Sequence, residues 1–188
     1  MPVRAVGCAV GQGHKNLSDS LRQSHIALYS EPTRVEEPPL HHNDVIRRFD
    51  SYWRSLHARL GHFPARSDLD PIDMGAAILP WTILVELRED DGGVYFYYRL
   101  CGTEVAHLIG RDVTGSTTRE AISGGNPQII TGPYFYTLKE ACPSFWKTSI
   151  FHKVYHWRPV VRGVWPLSSD GQKIDGFANL TVPVLKRP

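Results

Sequence analysis

The spacing of apolar positions changes several times along the chain, and each change marks an element. Between Asp44 and Gly61, the residues Val45, Phe49, Tyr52, Trp53, Leu56 and Leu60 recur at intervals of three and four, which is the repeat of one helix face. Asp44 offers a capping carboxylate at the start and Gly61 a stop. In the connector "FPARSDLDPIDMGAAILP", Pro71 behind Asp70 predicts a single helical turn. The period then drops to two. "AAILPWTILVELRE" predicts a buried strand, "EDDGG" a hairpin turn, and "VYFYYRLCG" the returning strand. Alternation puts Phe96, Tyr98 and Leu100 on one face, with Tyr95, Tyr97 and Arg99 on the other.

The middle of the chain returns to helical spacing. "TEVAHLIG", from Thr103 to Gly110, and "STTREAI" predict two short helices. Asn126 and Pro127 open a longer one, which Gly132 and Pro133 are expected to break or kink. "SFWKTSI", "WRPVVRGVWPL" and "IDGFANLTVPV" predict three strands, and Asp170-Gly171 within "SSDGQK" is the strongest hairpin signal. Two β segments separated by a helical block predict an α+β fold: one antiparallel sheet with helices on one face, preceded by the helix at 44–60. Residues 1–42 show no sustained period apart from the short helix-like fragment "LSDSLRQSHIALY". They are read as a tail, mostly without order, before a single domain at 43–188.

Composition narrows the classes. With 188 residues, 41% hydrophobic and 21% charged, the chain holds one core of ordinary globular type. A net charge of +2 gives no electrostatic reason to expect nucleic acid. No run approaches the roughly 20 apolar residues of a membrane span, so no membrane partner is expected. Cys8, Cys101 and Cys142 are odd in number and widely spaced, which favours a reducing, cytoplasmic setting over a disulfide framework.

Four phrases in order resemble the PAS-like family of small bacterial proteins. They are "YWRSLHARLGHFPARSDLDPIDM", "ILPWTILVEL", "YYRLCGTEVAHLIGRDVTG" and "WPLSSDGQKIDG". The likeness spans roughly residues 45 to 184. It implies a PAS-like five-stranded antiparallel sheet, with a helical layer over one face and a ligand cavity between them. In that pocket we expect Phe96 and Tyr98 from the second strand, His107 and Leu108 from the first short helix, Tyr134 and Leu138 from the long helix, and Trp165 and Asn179 from the last two strands. Leu180 is expected to join Trp165 there, and Tyr98, His107 and Asn179 supply the polar groups that selectivity requires. Haem and flavin are compatible with such a cavity, although no motif indicates either. In "VVRGVWPL" and "CPSFWKTSIFHKVYHW" the chain departs from the family pattern, so the identity of a ligand does not carry over.

Other chemistries find weaker support. "GCAVGQGHKN" lacks the Gly-Lys-Ser/Thr spacing of a phosphate loop. His41 with His42 and His57 with His62 miss the i,i+4 spacing that aligns metal ligands on a helix, so no metal is expected. Cys142, His152 and His156 are the nearest approach to a nucleophile and base, but no serine sits in a nucleophile elbow, and no catalytic motif marks an enzyme. Asp68, Asp70 and Asp73 read as caps of a turn. The leading expectation is a stand-alone sensory domain that binds a small molecule and signals through a partner or a homodimer. The homodimer is expected through helix 44–60, with Tyr52 or Trp53 facing the second copy. An adaptor with a filled core is the first alternative, and an enzyme using the same cavity the second.

Overall fold

The computed structural model describes residues 28–36, 44–121, 126–152 and 156–184. Two short strands, β1 (Leu28–Tyr29) and β2 (Thr33–Val35), come first, followed by helix α1 (Asp44–Leu60) and the single turn α2 (Pro71–Met74). Strands β3 (Thr82–Asp90) and β4 (Gly93–Cys101) form a hairpin. Helices α3 (Thr103–Ile109), α4 (Thr118–Ala121) and α5 (Pro127–Glu140) then lead to β5 (Ser144–His152), β6 (His156–Leu167) and β7 (Gly176–Pro183). The sheet runs in the order β1-β5-β6-β7-β3-β4, with β2 also on β5, and every pairing is antiparallel. The five long strands are those read from the sequence, and β1 and β2 add to them. Those two come from the segment read as a tail; the remainder of 1–42, including most of the helix-like fragment, lies outside the described residues.

Local signals act as their chemistry dictates. The amide of Gly61, at φ 73°, donates to the His57 carbonyl at 2.9 Å and ends α1. Asp70 Oδ1 accepts the Ile72 amide at 2.7 Å to start α2, and Asp68 Oδ2 accepts the Ala65 amide at 2.8 Å, so this pair does cap turns. Thr117 and Glu120 close a capping box over α4: the Glu120 carboxylate takes the Thr117 amide at 2.7 Å, and Thr117 Oγ1 takes the Glu120 amide at 3.3 Å. Pro133 does not break α5, which continues unbroken from Pro127 to Glu140. Pro133 and Tyr134 are both buried, and the packing that buries them offsets the one backbone donor the proline removes.

Leu100 also departs from simple alternation. Val85 pairs with Tyr98 and Leu84 with Leu100, so Arg99 is an extra residue at a β-bulge. The bulge turns Leu100 outward and brings Cys101 into the core.

Helices cover both faces of the sheet. One apolar cluster lies between the sheet and α3 to α5, where Phe96, Val105, Tyr134 and Phe177 meet. A second lies under α1, where Ile46, Phe49, Trp53 and Leu56 pack on Val161, Trp165 and Leu180. The apolar surplus of α1 is therefore used inside the chain. Trp53 is buried and its Nε1 donates to the Pro166 carbonyl at 3.1 Å, while Tyr52 is half-buried and its hydroxyl accepts the Asp70 amide at 2.8 Å.

Two further contacts fix the molecule. Asp50, buried on α1, accepts Trp165 Nε1 at 2.9 Å and Arg54 Nε at 2.8 Å. Along the outer side of β4, the amides of Phe96, Tyr98 and Cys101 donate to Thr118 Oγ1, the Ser116 carbonyl and Thr114 Oγ1 at 3.2, 2.9 and 2.9 Å.

Candidate functional site

The period-two geometry of strands decides which side chains meet under α3 to α5. From β7 the face receives Phe177, Asn179 and Thr181; from β6, Val160, Arg162 and Val164; from β4, Phe96 and Tyr98. The helical layer adds Ile109, Ile130 and Tyr134. Aromatic rings fill one end: Phe96 lies 5.0 Å from Tyr134 and 6.0 Å from Phe177, centroid to centroid. A cavity of about 40 Å³ remains at the other end, walled by Tyr98, Arg111, Tyr134, Arg162 and Thr181 among aliphatic side chains.

These polar groups are deep. Arg162 is 3% exposed, donates from Nη2 to the Ile130 carbonyl at 3.4 Å, and holds its guanidinium 5.6 Å from the Tyr134 ring centroid. Burial pushes the Tyr134 phenol above its usual range, and the Arg162 charge opposes that shift. Asn179 also favours the phenolate slightly, yet its buried Nδ2 meets no acceptor with hydrogen-bond geometry. Its Oδ1 accepts the Thr181 hydroxyl at 3.0 Å. Burial likewise raises the Cys101 thiol, which suits a packed side chain rather than a nucleophile.

Of the residues expected in the pocket, Phe96, Tyr98, Tyr134 and Asn179 are buried on this face, and Leu138 packs against its apolar cluster. Leu108 reaches the same cluster and also borders a second, outer space. His107 faces outward. It lines a groove of about 570 Å³ with Trp81, Glu104, Asp112, Arg158 and Pro183, outside the inner cavity. Trp165 is a correction, and Leu180 with it: both lie on the opposite face, under α1. Because helices bury both faces, "VVRGVWPL" is apolar at odd and even positions alike, and parity could not be read from it.

Sequence reasoning missed Arg162, Arg111 and Thr181. The available signal was a lone charge in the middle of an apolar strand, which must be satisfied where it is buried. Arg111 and Asp112 instead brace backbone: Arg111 Nη2 donates to the Ala121 carbonyl at 2.8 Å, and Asp112 Oδ1 accepts the Thr114 amide at 2.8 Å.

The inner cavity does not fit a haem or a flavin, which need several hundred Å³, and His107 is not turned toward it. Among the described residues, no three His, Cys, Asp or Glu side chains gather as a metal site would require. No helix among them is long and apolar enough to cross a membrane.

An antiparallel sheet with a helical layer over a small polar-walled cavity defines an α+β domain. Residues 41–126 match the PAS domain family, and the fold is consistent with a PAS-like one. The match runs from α1 through α4, and β5 to β7 complete the same sheet beyond it. A PAS domain marks a sensory or signalling module. No curated protein and no solved structure matches the chain.

Proposed function

We propose that this chain is a cytoplasmic sensory domain that binds a small molecule between the sheet and helices α3 to α5 and signals through a partner or a second copy. One observation carries the reading: Tyr98, Tyr134, Arg162, Asn179 and Thr181 are buried together at one end of an otherwise apolar layer. Burying that many polar groups opposes folding unless each is satisfied, and a core serving stability alone has no need of them. A ligand that prefers one arrangement of the helical layer then shifts the population of that arrangement. No catalytic step belongs to the proposal. His107 lies on the outer groove and Cys142 is exposed beyond α5, so neither enters the cavity.

The test is an NMR survey of the full chain against a library of small acids, amines, alcohols and sugars. At least one class should shift resonances of Val105, Ile109 and Thr181. The adaptor reading is favoured by the size of the cavity, about 40 Å³ against the roughly 300 Å³ at which drug-sized sites begin. It predicts that no compound moves those residues, and that outcome would displace the sensory reading.

A further inference from the structure

The inner cavity is rich in donors and small. About 40 Å³ is a few times the 10–15 Å³ that one water requires, so it admits a molecule of roughly three or four non-hydrogen atoms. Two guanidinium groups, Arg111 and Arg162, line it with the hydroxyls of Tyr98, Tyr134 and Thr181, and none of the described lining residues is acidic. Beside them, the Thr181 hydroxyl occupies Asn179 Oδ1, which fixes the amide so that Nδ2 is left as a buried donor without an acceptor. A buried donor of this kind carries a desolvation penalty until an acceptor arrives.

We infer that the cavity binds a small oxyanion of the carboxylate type, with Arg162 and Arg111 as its donors and Arg111 also as the gate through which it enters. The inference rests on the ligand-sensing reading above and assigns its chemistry. A carboxylate presents only acceptors and matches the planar fork of an arginine. Arg111 lines both the inner cavity and the outer groove. It is half-buried and held by the Ala121 carbonyl, so a rotation of its side chain would connect the two spaces. The groove is lined by His107 and Arg158 together with Glu104 and Asp112, giving a mouth of mixed sign. The anion-selective step therefore belongs to Arg111 and the groups behind it.

The experiment titrates isotope-labelled full-length chain with sodium formate and sodium acetate, against sodium chloride at equal ionic strength and against acetamide as the neutral isostere. Formate or acetate should move the Asn179 side-chain amide and the Thr181 resonances and raise Tm, while acetamide and chloride leave both unchanged. Arg111→Gln, at a half-buried position, should fold and weaken carboxylate binding about tenfold, the loss expected for one charge-assisted hydrogen bond. Arg162→Gln should abolish binding. If that variant does not fold, Tyr134→Phe and Arg111→Gln carry the comparison. Equal responses to acetate and acetamide would overturn the anion assignment while leaving the sensory reading in place. Shifts confined to His107 and its neighbours on the groove would overturn the inner site. No response to either carboxylate overturns the inference, and the sensory reading falls with it only if the wider library also leaves the inner residues unmoved.

Discussion

Asp170 shows how much one exposed carboxylate can organise. Its Oδ1 accepts the amides of Gln172 and Lys173 and the hydroxyl of Ser168, each at 2.8 Å, beside Gly171 at φ 76°. Those bonds, the Lys173 amide foremost, lower its carboxyl to about 2. The folded value lies below the ordinary aspartate value of about 3.9, so the contribution to stability is complete above that pH and is lost as pH falls toward 2. A carboxylate NMR titration should give a midpoint near 2 in the folded protein. Asp170→Ala should remove that part of the acid unfolding limb, read by chemical denaturation between pH 4 and 2. This turn was legible in the sequence because Asp-Gly carries its own geometry. Arg162 was not, because its role depends on which helix lies across the sheet.

At the level of elements, β6 is the strand that joins the two layers. Arg162 and Val164 point toward the cavity, while Val161 and Trp165 point toward α1. Gly163 makes room for the indole: a Cβ there would lie 2.2 Å from Trp165 Cη2. Gly163→Ala should therefore destabilise the fold by about 1–3 kcal/mol, measured by denaturant unfolding, through the displaced ring. Most elements could be read from local pattern: the 3.6 period of α1, the hairpin of β3 and β4, the glycine stops, and the capping residues. Facing could not. A strand buried on both sides loses its polar parity, which sent Trp165 to the wrong layer, and the bulge at Arg99 reversed Leu100 without any marker in the residues themselves. Pro133 shows a third limit, since a buried proline is tolerated where packing outweighs its missing donor.

For the whole molecule, the question is how one face of the sheet informs the other. The Asp50 carboxylate is one polar tie between α1 and β6, beside the Trp53 indole on the Pro166 carbonyl, and it accepts the Trp165 indole within the layer opposite the cavity. Asp50→Ala leaves that indole N–H buried without its acceptor, at a cost of about 1–3 kcal/mol. Hydrogen exchange should quicken across α1 in this variant while the resonances of Thr181 and Asn179 keep their response to ligand. Loss of both together would mean that the two faces are coupled, with α1 able to read out the cavity.

The edges of the sheet bear on how such a readout can be received. β1 and β2 lie along β5 and form that border themselves, while the 114–118 segment takes the outward amides of Phe96, Tyr98 and Cys101 on β4, so the β4 border offers no free ladder to another chain. Recognition by strand addition is therefore closed at β4, and so is edge-to-edge stacking there. A partner on that side must therefore read side chains, whose arrangement can change with occupancy, rather than a backbone border that would look the same in every state.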